Sequence, residues 1–292
     1  MPVRRMKEGG LYMKPQCMLA AAVAVLLASG SDARAQTRLP IYDVHVHYSR
    51  DAWSHYDPAA IEKILRAAGV GRAVVSSSPD DGTLKLRAAN PAMFVPMLRP
   101  YYEGVNNSTW HRENQVVAYM DERLKSGVYK GVGEFHLWSV EDAQTPVVRR
   151  VIGKARELDL FVYVHTDAKV VDAIFAMAPG VKVLWGHAGM SEPASVVGAM
   201  LDKHKQLWTE LSFRAGAVAG GGKLDEQWKA VLLRHPDRFM VGTDTYVTSR
   251  WGDYAGLIAE HRRYLDLLPP EVAKAVAWGN AVKLFGGPPL TE

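Results

Sequence analysis

Five short apolar runs in this sequence finish on side chains of the kind that bind metal ions. They read Asp43-Val44-His45-Val46-His47, Gly133-Glu134-Phe135-His136, Val164-His165-Thr166, Gly186-His187-Ala188 and Gly242-Thr243-Asp244. Neutral imidazoles and carboxylates are the ligands of zinc and related divalent ions. An ion held by such a set lowers the pKa of water from near 16 to about 7 and so provides a nucleophile at neutral pH. A lone His-x-His pair means little. Five runs ending alike imply convergence, because buried polar groups are costly unless they share a partner.

Strands must position these residues. Strand-like runs occur at 40–47, 72–78, 94–99, 130–137, 160–165, 181–187, 207–213 and 239–243. Several are nearly continuous Val, Leu, Ile and Phe, as parallel strands buried on both faces should be. Alternation along the first strand places Asp43, His45 and His47 on one face, pointing into the barrel. Helical stripes fill the gaps at 58–68, 114–126, 146–158, 169–178, 193–204, 224–235 and 254–268, with a weaker stripe at 80–89 and a last helix at 270–284. Asp57 before Pro58 is a good N-cap for the first helix. Eight strand–helix units without a linker predict an α/β fold, a single-domain (β/α)8 TIM barrel with an extra C-terminal helix. His165, His187 and Asp244 then fall at C-terminal strand ends, where such barrels carry their active sites.

The glycine-rich stretch 216–222 before Lys223 is no phosphate-binding loop. Ala217 stands where that motif needs glycine, and Leu224 where it needs Ser or Thr. It reads as a flexible loop after the seventh strand.

The chain has 292 residues, 48% apolar and 23% charged, an ordinary globular composition. Its first 35 residues differ in kind. Arg4, Arg5, Lys7 and Lys14 precede the uncharged apolar run 18–28, and Ala33-Arg34-Ala35 follows. That order predicts a secretory signal peptide over 1–35, with the barrel domain over 36–292. Met13 is an alternative start to Met1. The apolar run is too short for a membrane span, which takes about 20 residues. Cleavage after Ala35 removes Cys17, the sole cysteine, so any metal site relies on histidine and carboxylate. The leader carries five basic residues against two acidic ones, so the mature net charge falls from +4 to about +1. Nucleic acid is therefore not an expected partner. The predicted location is secreted or periplasmic, and the oligomeric state is left open.

With these motifs in place, the chain resembles the amidohydrolase superfamily, in its "amidohydrolase 2" branch of TIM-barrel metal-dependent hydrolases. The resemblance runs from Leu39 to Gly286. It rests on Asp-Val-His-Val-His after strand one, single histidines after strands five and six, and Gly-Thr-Asp after strand eight. The closing segment from Trp278 through Asn280 and Phe285 to Gly286 is similar as well. The likeness implies that His45 and His47 bind the more buried ion, with Asp244 as a further ligand. His165 and His187 would hold a second ion, or one of them would assist a single-ion centre. Glu134 stands where many relatives carry a bridging carboxylated lysine and others a glutamate. A bridging Glu134 implies two ions about 3.5–4 Å apart. Its competing role is a charge-balancing or substrate-binding carboxylate beside one ion.

The implied activity is hydrolysis of a small amide, ester or lactone, with Asp244 as proton shuttle. Zinc suits the ligand set and manganese is compatible with it. The rival readings are a single-zinc non-hydrolytic decarboxylase, a deoxyribonuclease-type phosphodiesterase and a secreted metal-binding barrel without catalysis.

Weaker candidates surround this set. Arg99, Arg214 and His136 are placed to bind substrate, with structural ion pairing the alternative for the arginines. Tyr48, Trp138, Tyr246 and Trp251 follow ligand-bearing strands and compete with ordinary loop packing. His55 and His111 are not expected in the site, and His204, His235 and His261 read as surface histidines of helices. Asp43 points inward but lies too deep to be a ligand.

Overall fold

The computed structural model describes residues 38–291. The expected leader (1–35), with Cys17 and both candidate starts, lies outside the described residues. Eight strands follow one another around a single sheet in the order β1 to β8, all parallel. They are β1 (Ile41–Val46), β2 (Val70–Val75), β3 (Phe94–Leu98), β4 (Gly131–His136), β5 (Phe161–His165), β6 (Lys182–Trp185), β7 (Leu207–Glu210) and β8 (Phe239–Met240). A bridge between Asp43 and Val241 joins the last strand to the first. This is the (β/α)8 TIM barrel that the sequence predicts.

Helices at Pro58–Ala67, Asp81–Ala89, Gln115–Leu124, Pro146–Glu157, Ala168–Met177, Ala194–Lys203, Glu226–Arg234 and Tyr254–Leu265 occupy the crossovers. The first begins as expected: the Asp57 carboxylate accepts a 2.7 Å hydrogen bond from the Ala60 amide. The extra C-terminal helix is present as Pro270–Lys274 and Asn280–Phe285, joined by a π-helical turn. Among the described residues no helix is long and apolar enough to cross a membrane.

The differences from expectation lie mostly at the C-terminal ends of the strands. β6, β7 and β8 stop at Trp185, Glu210 and Met240, earlier than the apolar runs suggest. Beyond those points the chain turns into the left-handed region at His187 (φ 55°), Phe213 (φ 60°) and Asp244 (φ 54°). The apolar runs therefore continue past the ladder into the loops that build the mouth. Residues 216–222 are not an irregular loop throughout, since helical turns form at Ala215–Val218 and Gly220–Gly222.

Two glycines allow close approaches that shape the mouth. A Cβ on Gly133 (φ 114°) would lie 2.0 Å from the Tyr163 carbonyl oxygen, and one on Gly242 would lie 2.3 Å from Glu210 Oε2. The β4–β5 register shifts between Gly133 and Phe135, where Glu134 sits, and then pairs His136 with His165. Such irregularities re-aim side chains beside active sites.

Candidate metal centre

His45 and His47 reach the barrel mouth from one strand, with their Nε2 atoms 2.9 Å apart. Each ring is oriented from behind. His45 Nδ1 lies 3.1 Å from Glu210 Oε1, and His47 Nδ1 lies against the Ser76 carbonyl oxygen. Both partners are acceptors, so each Nδ1 can donate to its partner while each Nε2 points inward. Asp244 Oδ1 lies 3.0 Å from His47 Nε2 and 3.5 Å from His45 Nε2. That oxygen is buried without a hydrogen-bond partner.

Glu134 divides its carboxylate between two sides. Oε2 is 3.3 Å from both His45 Nε2 and His47 Nε2. Oε1 is 3.1 Å from His165 Nδ1 and 3.4 Å from His187 Nε2. Those two histidine nitrogens are 3.0 Å apart, and His187 Nδ1 contacts Ser212 Oγ behind the ring at 2.5 Å. Three ligand groups result: His45/His47/Glu134, His45/His187/Asp244 and Glu134/His165/His187, each with its ligand atoms within 4.8 Å of one another. Imidazole nitrogens and carboxylate oxygens crowded at these distances, with Asp244 Oδ1 left without a donor, call for a cation. The donor set fits a divalent metal.

The electrostatics agree. Burial is the largest influence on His45 and opposes its protonation, yet Asp244, Glu134 and Glu210 together hold its pKa well above the ordinary value. Burial likewise works against ionised Glu134, but His45, His165 and His187 outweigh it and hold that carboxyl well below its usual range. Glu210 is brought down to about 2, against its burial, by His187 and His45. A bound ion would take over the positive role that His45 and His187, both with raised pKa values, play towards these carboxylates.

Glu210 and Ser212 are functional residues that the sequence reading missed. Buried Glu210 orients His45 and also accepts from the His187 and Ser212 amides, at 2.6 Å each. The signal was a carboxylate inside the apolar run Leu207-Trp-Thr-Glu-Leu. Asp43 sits deeper, as expected. It accepts from the Thr243 amide at 3.0 Å and from the Thr243 and Tyr254 hydroxyls at 2.6 Å, fastening β1 to the chain that leads to Asp244.

A cavity of about 850 Å³ opens over the centre, lined among others by Arg99, Tyr101, Glu134, His136, His165, Phe213, Asp244 and Tyr246. Arg99 borders it but is held by Glu134, donating Nε to its carbonyl (2.9 Å) and Nη2 to its Oε2 (3.0 Å). His136 stacks on His165 with ring centroids 4.3 Å apart. The His136 amide donates to the Tyr101 hydroxyl oxygen at 2.7 Å, and that hydroxyl faces His136 Nδ1 at 2.9 Å. The hydroxyl thus donates to Nδ1, leaving Nε2–H as the ring's donor. Burial, opposed in part by Glu134, pulls the His136 pKa to about 3, so the ring is neutral.

Two expectations are corrected. Arg214 does not line the cavity: its guanidinium donates to the Glu192 carbonyl and lies 4.9 Å from the Trp228 ring centroid. The chain has left β7 before Arg214, and Phe213 takes the inward place instead. His261 is buried rather than at the surface, against the Tyr264 hydroxyl at 3.0 Å. His204 and His235 pair with Asp172 and Asp202, and His111 pairs with Asp142. His55 is exposed. Of the aromatics, Tyr246 lines the cavity, Trp138 is exposed beside His136, and Tyr48 and Trp251 are core residues.

An eight-stranded barrel with histidines and carboxylates converging at its C-terminal mouth places the chain in the class of TIM barrels, which carry their active sites at that face. The amidohydrolase family model matches residues 42–287, and the chain belongs to that family. The family typically binds a divalent metal. No curated protein matches the chain.

Similar solved structures support the fold. One, from Acinetobacter baumannii, is described as a probable 2-pyrone-4,6-dicarboxylic acid hydrolase with citric acid bound. It has 16% identity and a TM-score of 0.62, covering 85% of this chain and 100% of its own. A TatD homologue from Escherichia coli K12 has 15% identity, a TM-score of 0.59 and coverages of 85% and 98%. The 5-carboxyvanillate decarboxylase of Sphingomonas paucimobilis has 14% identity, a TM-score of 0.52 and coverages of 85% and 99%.

Proposed function

We propose that the protein is a metal-dependent hydrolase of a small amide, ester or lactone. The observation that carries this reading is the division of the Glu134 carboxylate between the His45/His47 pair and the His165/His187 pair. His45, His47, Glu134 and Asp244 would hold one divalent ion, zinc or manganese. Glu134, His165 and His187 would hold the second. Such ions lower the pKa of water to about 7 and polarise a carbonyl. Asp244, whose pKa His45 and His47 hold low against the effect of burial, accepts the proton of the attacking water and returns it to the leaving group. His136 offers its Nε2–H to the substrate, and Arg99 fixes the position of Glu134.

One observation favours a second reading, a single-zinc decarboxylase. Arg99 Nη2 already occupies Glu134 Oε2 at 3.0 Å, which would leave that oxygen a poor ligand. Metal analysis of the purified protein, paired with amide, ester, lactone and aromatic-acid panels, separates the two. Two ions per chain with hydrolytic turnover support the first reading; one tightly held ion with carbon dioxide release replaces it with the second.

We also propose that residues 1–35 direct export and are removed. N-terminal sequencing of the mature protein tests this, with Gln36 as the expected first residue.

A further inference from the structure

Among the described residues, six non-glycine positions have positive φ: Asp159, His187, Ala188, Met190, Phe213 and Asp244. All but Asp159 lie just beyond β6, β7 or β8, at the barrel mouth. Left-handed backbone is unfavourable for residues with a Cβ and gathers at functional sites. At His187 and Asp244 this conformation delivers a candidate ligand. At Met190 (φ 55°) and Phe213 (φ 60°) it delivers an apolar side chain to the same cavity, left 37% and 47% exposed. Tyr246, 54% exposed, continues that wall.

The wall is braced. The Arg250 guanidinium lies 4.5 Å from the Phe213 ring centroid and 5.7 Å from that of Tyr246. It is itself fixed by donating to the Asp244 and Thr243 carbonyls, at 2.7 Å each. The Phe213 ring also meets His187 edge-on, at 5.6 Å and 62°. β3 stands four strands from β7 in the barrel order, so the loop after β3, which lends Tyr101, Tyr102 and Val105 to the cavity, faces this wall.

The two arginines that line the cavity each face a carboxylate: Arg99 is held by Glu134 at 3.0 Å, and Arg50 lies 3.9 Å from Glu103. Among the described residues no unmatched cation lines the cavity to receive a carboxylate on the body of a substrate.

We infer that the substrate carries a flat, uncharged aromatic group, seated against Phe213 and Tyr246 while its carbonyl reaches the centre. This rests on the hydrolase reading above, and the test separates the two. Calorimetric titration of the metal-loaded protein compares benzohydroxamate, cyclohexanecarbohydroxamate, acetohydroxamate and 4-carboxybenzohydroxamate, which share one metal-binding group. Benzohydroxamate should bind at least about tenfold more tightly than acetohydroxamate, from ring burial and aromatic contact. It should also bind more tightly than its cyclohexyl and carboxylated counterparts. Phe213→Ala and Tyr246→Ala should each reduce that preference, with acetohydroxamate binding showing that the centre has survived.

Equal affinity for the phenyl and cyclohexyl compounds overturns the aromatic assignment. Tighter binding of the carboxylated compound overturns the uncharged one. If no hydroxamate binds, the metal reading falls. The wall is then judged by saturation-transfer NMR with 2-naphthamide against propionamide, where absence of a preference overturns it.

Discussion

Two buried histidines in this molecule have their pKa values pushed in opposite directions. His45, at the mouth, is drawn well above its ordinary pKa by Asp244, Glu134 and Glu210, against the effect of burial. His261, on the helix Tyr254–Leu265, has the Tyr264 hydroxyl against it, and burial brings its pKa down to about 4. Burial alone keeps an imidazole neutral; burial among carboxylates demands positive charge. The mouth therefore differs from the rest of the interior in kind. At the mouth the carboxylates outweigh burial, whereas at His261 burial outweighs the one nearby carboxylate, Glu210.

The largest test of that contrast removes the one carboxylate shared by both halves of the mouth. Glu134→Gln keeps the shape and the Arg99 contact but deletes the charge. An ion held there would contribute several kcal/mol of transition-state stabilisation, so kcat should fall by about a thousandfold. Elemental analysis should show metal content falling with it. Wild-type turnover and metal content in this variant would mean that the carboxylate cluster is structural, and the contrast with His261 would lose its meaning.

A smaller effect is expected behind the ligands. Glu210 orients His45 through Nδ1 and His187 through its amide. Glu210→Gln leaves one acceptor oxygen where two served, so metal affinity should weaken by about 10–100-fold, as when other partners that orient ligands are lost. Competition with a chromogenic chelator measures this. An unchanged affinity would show that the mouth does not depend on its anionic support.

The features that define this contrast were unequally legible in the sequence. The eight strands and the ligand-type residues at their ends could be read because apolar runs and strand alternation follow local rules. Where each ladder stops could not be read. After Glu210 the chain turns through Phe213 in the left-handed region, which reverses the facing of the residues beyond it. A strand running straight to its end would bring Arg214 to the cavity, in the position that Phe213 holds. Glu210 was hidden because one carboxylate in an apolar run carries no spacing partner. The burial of His261 did have a signal, since Tyr254, Ile258, His261 and Leu265 form one buried stripe at helical spacing.

The smallest effect comes from the ordinary side of the comparison. Burial brings the His261 pKa to about 4 in the folded protein, below the ordinary value of 6.5. Above pH 6.5 neither the folded nor the unfolded chain protonates this residue, and its contribution to stability is intact. As pH falls from 6.5 towards 4, the unfolded chain binds the proton and the folded one does not, so stability is lost. The slope approaches 1.4 kcal/mol per pH unit, giving a loss of roughly 1 kcal/mol between pH 7.5 and 5.5. Denaturant unfolding of the metal-loaded protein at those two values should show a shallower pH dependence for His261→Gln than for the wild type. Other titrating groups, including Asp43 with its pKa raised by burial to about 6, are common to both proteins and cancel in the difference. Identical slopes would mean that His261 is hydrated or paired in solution, and the interior would then lack the neutral histidine that sets the mouth apart.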